Sequence, residues 1–130
     1  NKIKGVFIIL SRRSKMKLCY FNYFLKEGER IISTFECRLK TINAFQILDK
    51  EGILVATNFR LLFCKVIGEH PHLLQSYDYK YLCSAEFKED GEYLYAKYNG
   101  DPLKISQLDK DEIEKILLLI NNEKMNNILV

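Results

Sequence analysis

Residues 52–66, Gly-Ile-Leu-Val-Ala-Thr-Asn-Phe-Arg-Leu-Leu-Phe-Cys-Lys-Val, constrain the fold more than any other stretch. Two apolar runs flank the polar break Thr57-Asn58-Phe59-Arg60. Each run is too short for a stable helix and is rich in Val, Ile, Leu and Phe, so the pair reads as a β-hairpin with at least one buried face. Asn58 suits the turn, because its short side chain bonds local backbone and tolerates a left-handed conformation. Residues 30–40 alternate: Ile31, Phe35, Cys37 and Leu39 share one face, and Ile32, Thr34, Glu36, Arg38 and Lys40 the other. Residues 41–50 read as a loop and Glu69-His70-Pro71-His72 as a turn. Leu73 to Tyr79 forms a fourth strand. A fifth alternates Cys83, Ala85 and Phe87 with Ser84, Glu86 and Lys88, a sixth alternates Leu94, Ala96 and Tyr98 with Tyr93, Tyr95 and Lys97, and Leu103 and Ile105 mark a seventh. Asp90-Gly91 and Asn99-Gly100 are hairpin turns. Strands at this short, regular spacing argue for an antiparallel barrel or sandwich.

Two stretches read as helices. Asp109 caps the second and Glu112 completes a capping box, while Ile113, Ile116, Leu117 and Ile120 form its buried stripe. Asn121-Asn122 is its expected end, and 125–130 a tail. Residues 11–26 place Leu18, Phe21 and Leu25 at helical spacing, with Tyr20 and Phe24 beside them and Gly28 as a stop. Basic residues at its start oppose the helix dipole and favour fraying unless something anionic or packed holds that end. The expected organisation is a basic, aromatic, helical extension over 1–25, a mainly β domain with a closing helix over 26–124, and the tail.

Charge is unevenly placed. Residues 1–40 carry ten Lys/Arg against three Asp/Glu, a balance of +7, and the remainder carries −4, for a net +3. A basic front on an acidic body invites an anionic partner, although a solvated lysine-rich helix reads the same way. The four cysteines include no CxxC pair, which disfavours zinc, and three fall inside apolar strands as small hydrophobes. Reduced cysteines favour the cytoplasm. No stretch approaches the ~18 apolar residues of a membrane span.

The segments Leu25-x-x-Gly28-Glu29-x-Ile31, Gly52-x-Leu54-x-Ala56-Thr57-Asn58-x-Arg60-Leu61-Leu62-Phe63 and Tyr79-x-x-Leu82-x-Ser84 resemble bacterial pleckstrin-homology (PH) domains of the YokE-like group over residues ~25–122. The resemblance implies a PH-like seven-stranded β-barrel or sandwich capped by one helix. It also implies a binding or assembly module with no settled catalysis and no cofactor, in a group whose relatives can oligomerise. The motif residues carried over are Gly52, Ala56, Thr57, Asn58, Arg60, Leu61, Leu62 and Phe63.

Three sites follow as expectations. Anion or lipid contacts fall to Arg12, Arg13, Lys15 and Lys17 of the front and to Arg38, Lys40 and Lys50 of the sheet. The strand Ile53-Leu54-Val55-Ala56 carries no basic residue, which departs from the headgroup-binding pattern. An interaction surface falls to Leu61 and Phe63, placed outward with Lys65, and to Tyr93 and Tyr95, placed outward with Lys97. His70 and His72 are too few for a metal site. No nucleophile elbow, phosphate-cradling loop or His–nucleophile pair suggests catalysis. Nucleic acid is disfavoured by the acidic body. The reading is a non-enzymatic cytoplasmic interaction module acting through protein–protein contacts, including self-association. The alternative is peripheral binding to anionic membrane through the basic N-terminal segment.

Overall fold

Apolar residues on both faces of two neighbouring strands organise the observed architecture. The computed structural model of the chain describes residues 7–10, 14–17, 19–43, 45–88 and 92–129. A short ribbon of β1 (Phe7–Leu10) and β2 (Ser14–Lys17) leads into one helical turn, α1 (Cys19–Asn22). Seven antiparallel strands follow: β3 (Ile31–Ile42), β4 (Ile47–Thr57), β5 (Arg60–Ile67), β6 (His70–Asp78), β7 (Leu82–Lys88), β8 (Tyr93–Tyr98) and β9 (Asp101–Ser106). Their order across the sheet is β6-β5-β4-β3-β9-β8-β7. A 3-10 turn (Tyr79–Tyr81) joins β6 to β7, and α2 (Lys110–Leu129) ends the chain. The seven strands and closing helix are those expected; the sheet is not closed, since its end strands β6 and β7 are not paired with each other.

The inner face of the sheet buries Phe35, Leu39, Leu54, Leu61, Phe63, Leu94 and Ile105 with Ile113, Ile116 and Ile120 of α2. Leu61 and Phe63 are 1% and 0% exposed, so the expectation that they face outward is overturned. The physical reason is that β4 and β5 are covered on both sides. Such strands read as continuous apolar runs, from which the inward set cannot be picked by alternation. Their other face, Ile53, Val55, Leu62 and Cys64, packs under Phe21, itself 0% exposed, with Tyr20, Phe24 and Leu25 at the rim.

Other corrections have local causes. Within the stretch 11–26, where a helix was expected, the described residues Ser14–Lys17 form a strand paired with Phe7–Leu10, and only Cys19–Asn22 makes a helical turn. Basic side chains at the start also gave a helix there no dipole support. The loop expected at 41–50 is a tight hairpin. The Asn43 carboxamide accepts from the N–H groups of Phe45 and Gln46, which lets β3 run to Ile42 and β4 begin at Ile47. His70–His72 belongs to β6 rather than to a turn. An extra residue in β7 at Ser84, with φ 57, shifts the register and leaves Cys83 exposed. The expected turn at Asp90-Gly91 lies outside the described residues, whereas Asn99 and Gly100 take φ 52 and 88, as a tight hairpin turn requires.

The capping box of α2 is present in both directions: Asp109 N–H donates to Glu112 Oε1 at 3.0 Å, and Glu112 N–H to Asp109 Oδ1 at 2.8 Å. The helix continues through Asn121 and Asn122 to Leu129, past its expected end. Both asparagines point to solvent, and Lys124 Nζ donates to the Leu82 carbonyl, which ties the added turns to β7.

Gly52 sits where β4 meets β5 closely. A Cβ there would stand 2.5 Å from the Cys64 carbonyl oxygen and 2.8 Å from Phe63 Cζ. Gly52→Ala should destabilise the chain by about 2–3 kcal/mol, the usual range of overpacking; an unchanged urea midpoint would contradict this close approach. Phe21→Ala should cost about 3 kcal/mol by emptying the second layer. It should also promote concentration-dependent association as Val55 and Leu62 become accessible, read by light scattering alongside the melt.

Candidate functional site

Two sets of residues compete for a functional reading: the motif around Thr57 and the face that carries Lys40. Most of the motif is buried, with Gly52 and Asn58 half-buried. Arg60 and Glu29 form a two-pronged pair, Nε to Oε2 at 2.9 Å and Nη2 to Oε1 at 3.1 Å. Arg60 also donates to the Phe24 carbonyl at 2.8 Å and to Ser76 Oγ at 3.2 Å. Thr57 Oγ1 donates to Glu29 Oε2 at 2.6 Å and accepts from the N–H groups of Phe59 and Arg60. The Tyr79 hydroxyl donates to the Thr57 carbonyl at 2.6 Å. Asn58 clamps the preceding loop: its Oδ1 accepts from Arg30 N–H, and its Nδ2 donates to the Gly28 carbonyl. It is therefore a clamp rather than a left-handed turn residue. Ala56, Leu61, Leu62 and Phe63 are core. The polar side chains of the motif are spent on holding the fold together.

Burial pushes the Glu29 carboxyl up. Hydrogen bonds from Arg60, Thr57 and the Lys26 N–H, together with the Arg60 charge, outweigh that and hold it below the ordinary carboxylate value. Burial likewise pushes the Cys37 and Cys64 thiols up to about 12, so neither is a nucleophile.

The second set lies on the outer face of β3, β9 and β8. Period two and register put Arg38, Lys40 and Ile42 of β3 beside Pro102 and Lys104 of β9 and Tyr93 and Tyr95 of β8. Lys40, Ile42, Tyr93, Tyr95, Pro102, Leu103 and Lys104 line a shallow pocket of about 220 Å³. Beyond Ile42, at 47% exposure, the β3–β4 tip adds Phe45 and Ile47, 96% and 70% exposed. Tyr93 carries the Lys104 ammonium 4.3 Å from its ring centroid, and Tyr95 the Lys88 ammonium at 5.7 Å.

The structure thus joins Lys40, Tyr93 and Tyr95, which the sequence suggested separately. It separates the others. Arg38 is spent on Asp49 at 2.7 Å and Glu51 at 3.8 Å. Lys50 is exposed but lies opposite Leu39, on the other face of its strand from Lys40. Lys15 and Lys17 belong to β2, and Arg12 and Arg13 lie outside the described residues. Ile42, Phe45, Ile47 and Lys104 were missed. The alternation of Lys104 with Leu103 and Ile105 is a signal that places it outward, but only register reveals its neighbour. The histidines line a different groove of about 640 Å³ with Tyr20, Tyr23, Ile67 and Pro71. Among the described residues no three His, Cys, Asp or Glu are grouped to hold a metal, and no helix is long and apolar enough to cross a membrane.

A family profile for the bacterial PH domain matches residues 25–122. No curated protein matches. Among solved structures, one of Vav1 inhibited by an allosteric inhibitor shares 11% identity, with a TM-score of 0.66 over 84% of this chain and 32% of that one. An apo structure of the activated truncation of Vav1 shares 13% identity, with a TM-score of 0.59 over 75% and 27%. The chain therefore spans about a third or less of those chains, and the likeness shows the fold alone.

The depressed Glu29 value fixes a sign. A carboxyl lowered by folding contributes stability that is complete above its unfolded value, about 4.3, and is lost as pH falls through the folded one. Glu29→Gln, which leaves Arg60 buried without a counterion, should cost about 3 kcal/mol at neutral pH. The gap between wild type and variant should narrow below about pH 4 in urea denaturation. A gap independent of pH would show that the pair is not ionised as described.

Proposed function

Because this chain belongs to the bacterial PH domain family, we propose that it is a non-enzymatic module that docks on a protein through the outer face of β3, β9 and β8 and the adjoining β3–β4 tip. The observation that carries this reading is the run of exposed and half-buried apolar side chains from Phe45 and Ile47 through Ile42 to Tyr93 and Tyr95. Isolated exposed hydrophobics need no explanation, but a contiguous set beside an aromatic pocket has the make-up of an interface core with a polar rim. Aromatic anchors carry most of the energy in such contacts. Self-association through the same face is one form of this reading. The free thiols at Cys37, Cys64 and Cys83 suit the cytoplasm. Peripheral binding to anionic membrane is the second reading, favoured by the protruding Phe45 and Ile47 and the basic segment that holds Arg12, Arg13, Lys15 and Lys17.

A photo-crosslinking amino acid at position 45 should capture one protein of defined mass in cells, while the same group at exposed Lys115 on α2 should not. Ile47→Ser and Tyr95→Ala should each weaken the contact by about tenfold or more. A product of twice the chain's mass identifies self-association. Equal capture at both positions, or capture of lipid alone with salt-sensitive co-sedimentation on anionic vesicles, overturns the protein reading.

A further inference from the structure

Resting on that reading, we propose that the face recognises an acidic segment of its protein partner: a carboxylate seated between Lys40 and Lys104, with a neighbouring aromatic or aliphatic side chain in the pocket formed by Ile42, Tyr95 and Pro102. Lys40 and Lys104 are directly opposed across β3 and β9. Like charges in opposed positions cost stability. Among the described residues the flanking strands give neither lysine an ion pair. Opposite Lys40 on β4 stands Asp49, whose carboxylate is held by Arg38 Nε at 2.7 Å. Opposite Lys104 on β8 stands Tyr95. The ring of Tyr93, 4.3 Å from the Lys104 ammonium, steadies that charge without cancelling it. A local conflict kept at the rim of an apolar pocket is the kind of rule-breaking that binding sites show.

The surroundings decide which acid fits. A phosphate calls for several convergent donors, forked ones above all, and Arg38 on this face is committed to Asp49 and Glu51. An anionic bilayer is broad enough to meet Asp49, Glu51 and Glu86 along with the lysines, which dilutes its attraction to them. A single carboxylate between two ammonium groups avoids both problems. A pocket of about 220 Å³ accepts one large side chain beside it.

The full chain should be titrated with a labelled random copolymer of Glu and Tyr, against poly-Glu, a Lys/Tyr copolymer and phosphatidylserine vesicles. The Glu/Tyr copolymer should bind best, with affinity falling as salt rises. Lys40→Gln combined with Lys104→Gln should weaken it about tenfold, as two part-exposed ion pairs would. Lys104→Glu should abolish it while raising the urea midpoint, since an opposed Lys–Glu pair replaces a Lys–Lys pair; this separates lost recognition from lost folding. Undiminished copolymer binding in the double variant, or preference for the Lys/Tyr copolymer or the vesicles, overturns the inference. Crosslinking at position 45 separates the two readings. If Lys40→Gln with Lys104→Gln leaves the crosslink intact and Tyr95→Ala removes it, only the acidic specificity falls. If no variant on this face alters the crosslink, the docking reading falls with it.

Discussion

The buried pair of Glu29 and Arg60 is where three distant segments meet. Glu29 comes from the loop before β3, Arg60 from the start of β5, and the Tyr79 hydroxyl reaches in from the 3-10 turn to the Thr57 carbonyl between them. Two charges out of water are tolerable only when geometry and hydrogen bonding are nearly complete. Here they are: both Glu29 oxygens are engaged, and Arg60 also satisfies Phe24 and Ser76. The same bonds fix the β4–β5 hairpin and its twin layers. If Arg60 turned away, the Phe24 carbonyl would lose its donor and the segment carrying Phe21 its anchor over the second core.

That second core decides where a partner can dock. Phe21, Tyr20, Phe24 and Leu25 cover the outer side of β4 and β5, so the apolar runs at the centre of the sequence are spent internally. On the outer side of β3, β9 and β8 no described residue gives such cover to Ile42, Phe45 and Ile47, which stay exposed. Lysines and tyrosines there stand on rigid strands rather than on a loop, which preserves their spacing for a ligand. The function proposed for the chain rests on this asymmetry between its two outer surfaces.

Much of the architecture was legible because it follows from local periods. Phe35, Cys37 and Leu39 alternate in β3, and they face the core. Asp109 and Glu112 carry a capping signal, and each bonds the other's backbone N–H. The candidate site was legible only in pieces. Tyr93, Tyr95 and Lys40 could be placed outward by alternation, but no one-dimensional rule brings residues 40, 93 and 104 together. Leu61 and Phe63 failed for the opposite reason, since a strand buried on both faces gives no alternation to read. Phe45 and Ile47 were lost in an assumed loop, because a hairpin stabilised by one asparagine side chain leaves little mark in sequence.

The sequence by itself determined the strand periods, the capped helix and the motif residues at 28–29, 52–63 and 79–84, since each depends on neighbours within a few positions. Only the tertiary structure decided what those residues are for. It turned the motif into a buried scaffold, because a charge removed from water must find its counterion wherever the fold supplies one. It made Lys40 and Lys104 neighbours because strand register, set by turns and buried faces along the whole sheet, pairs residues that lie 64 positions apart in the chain.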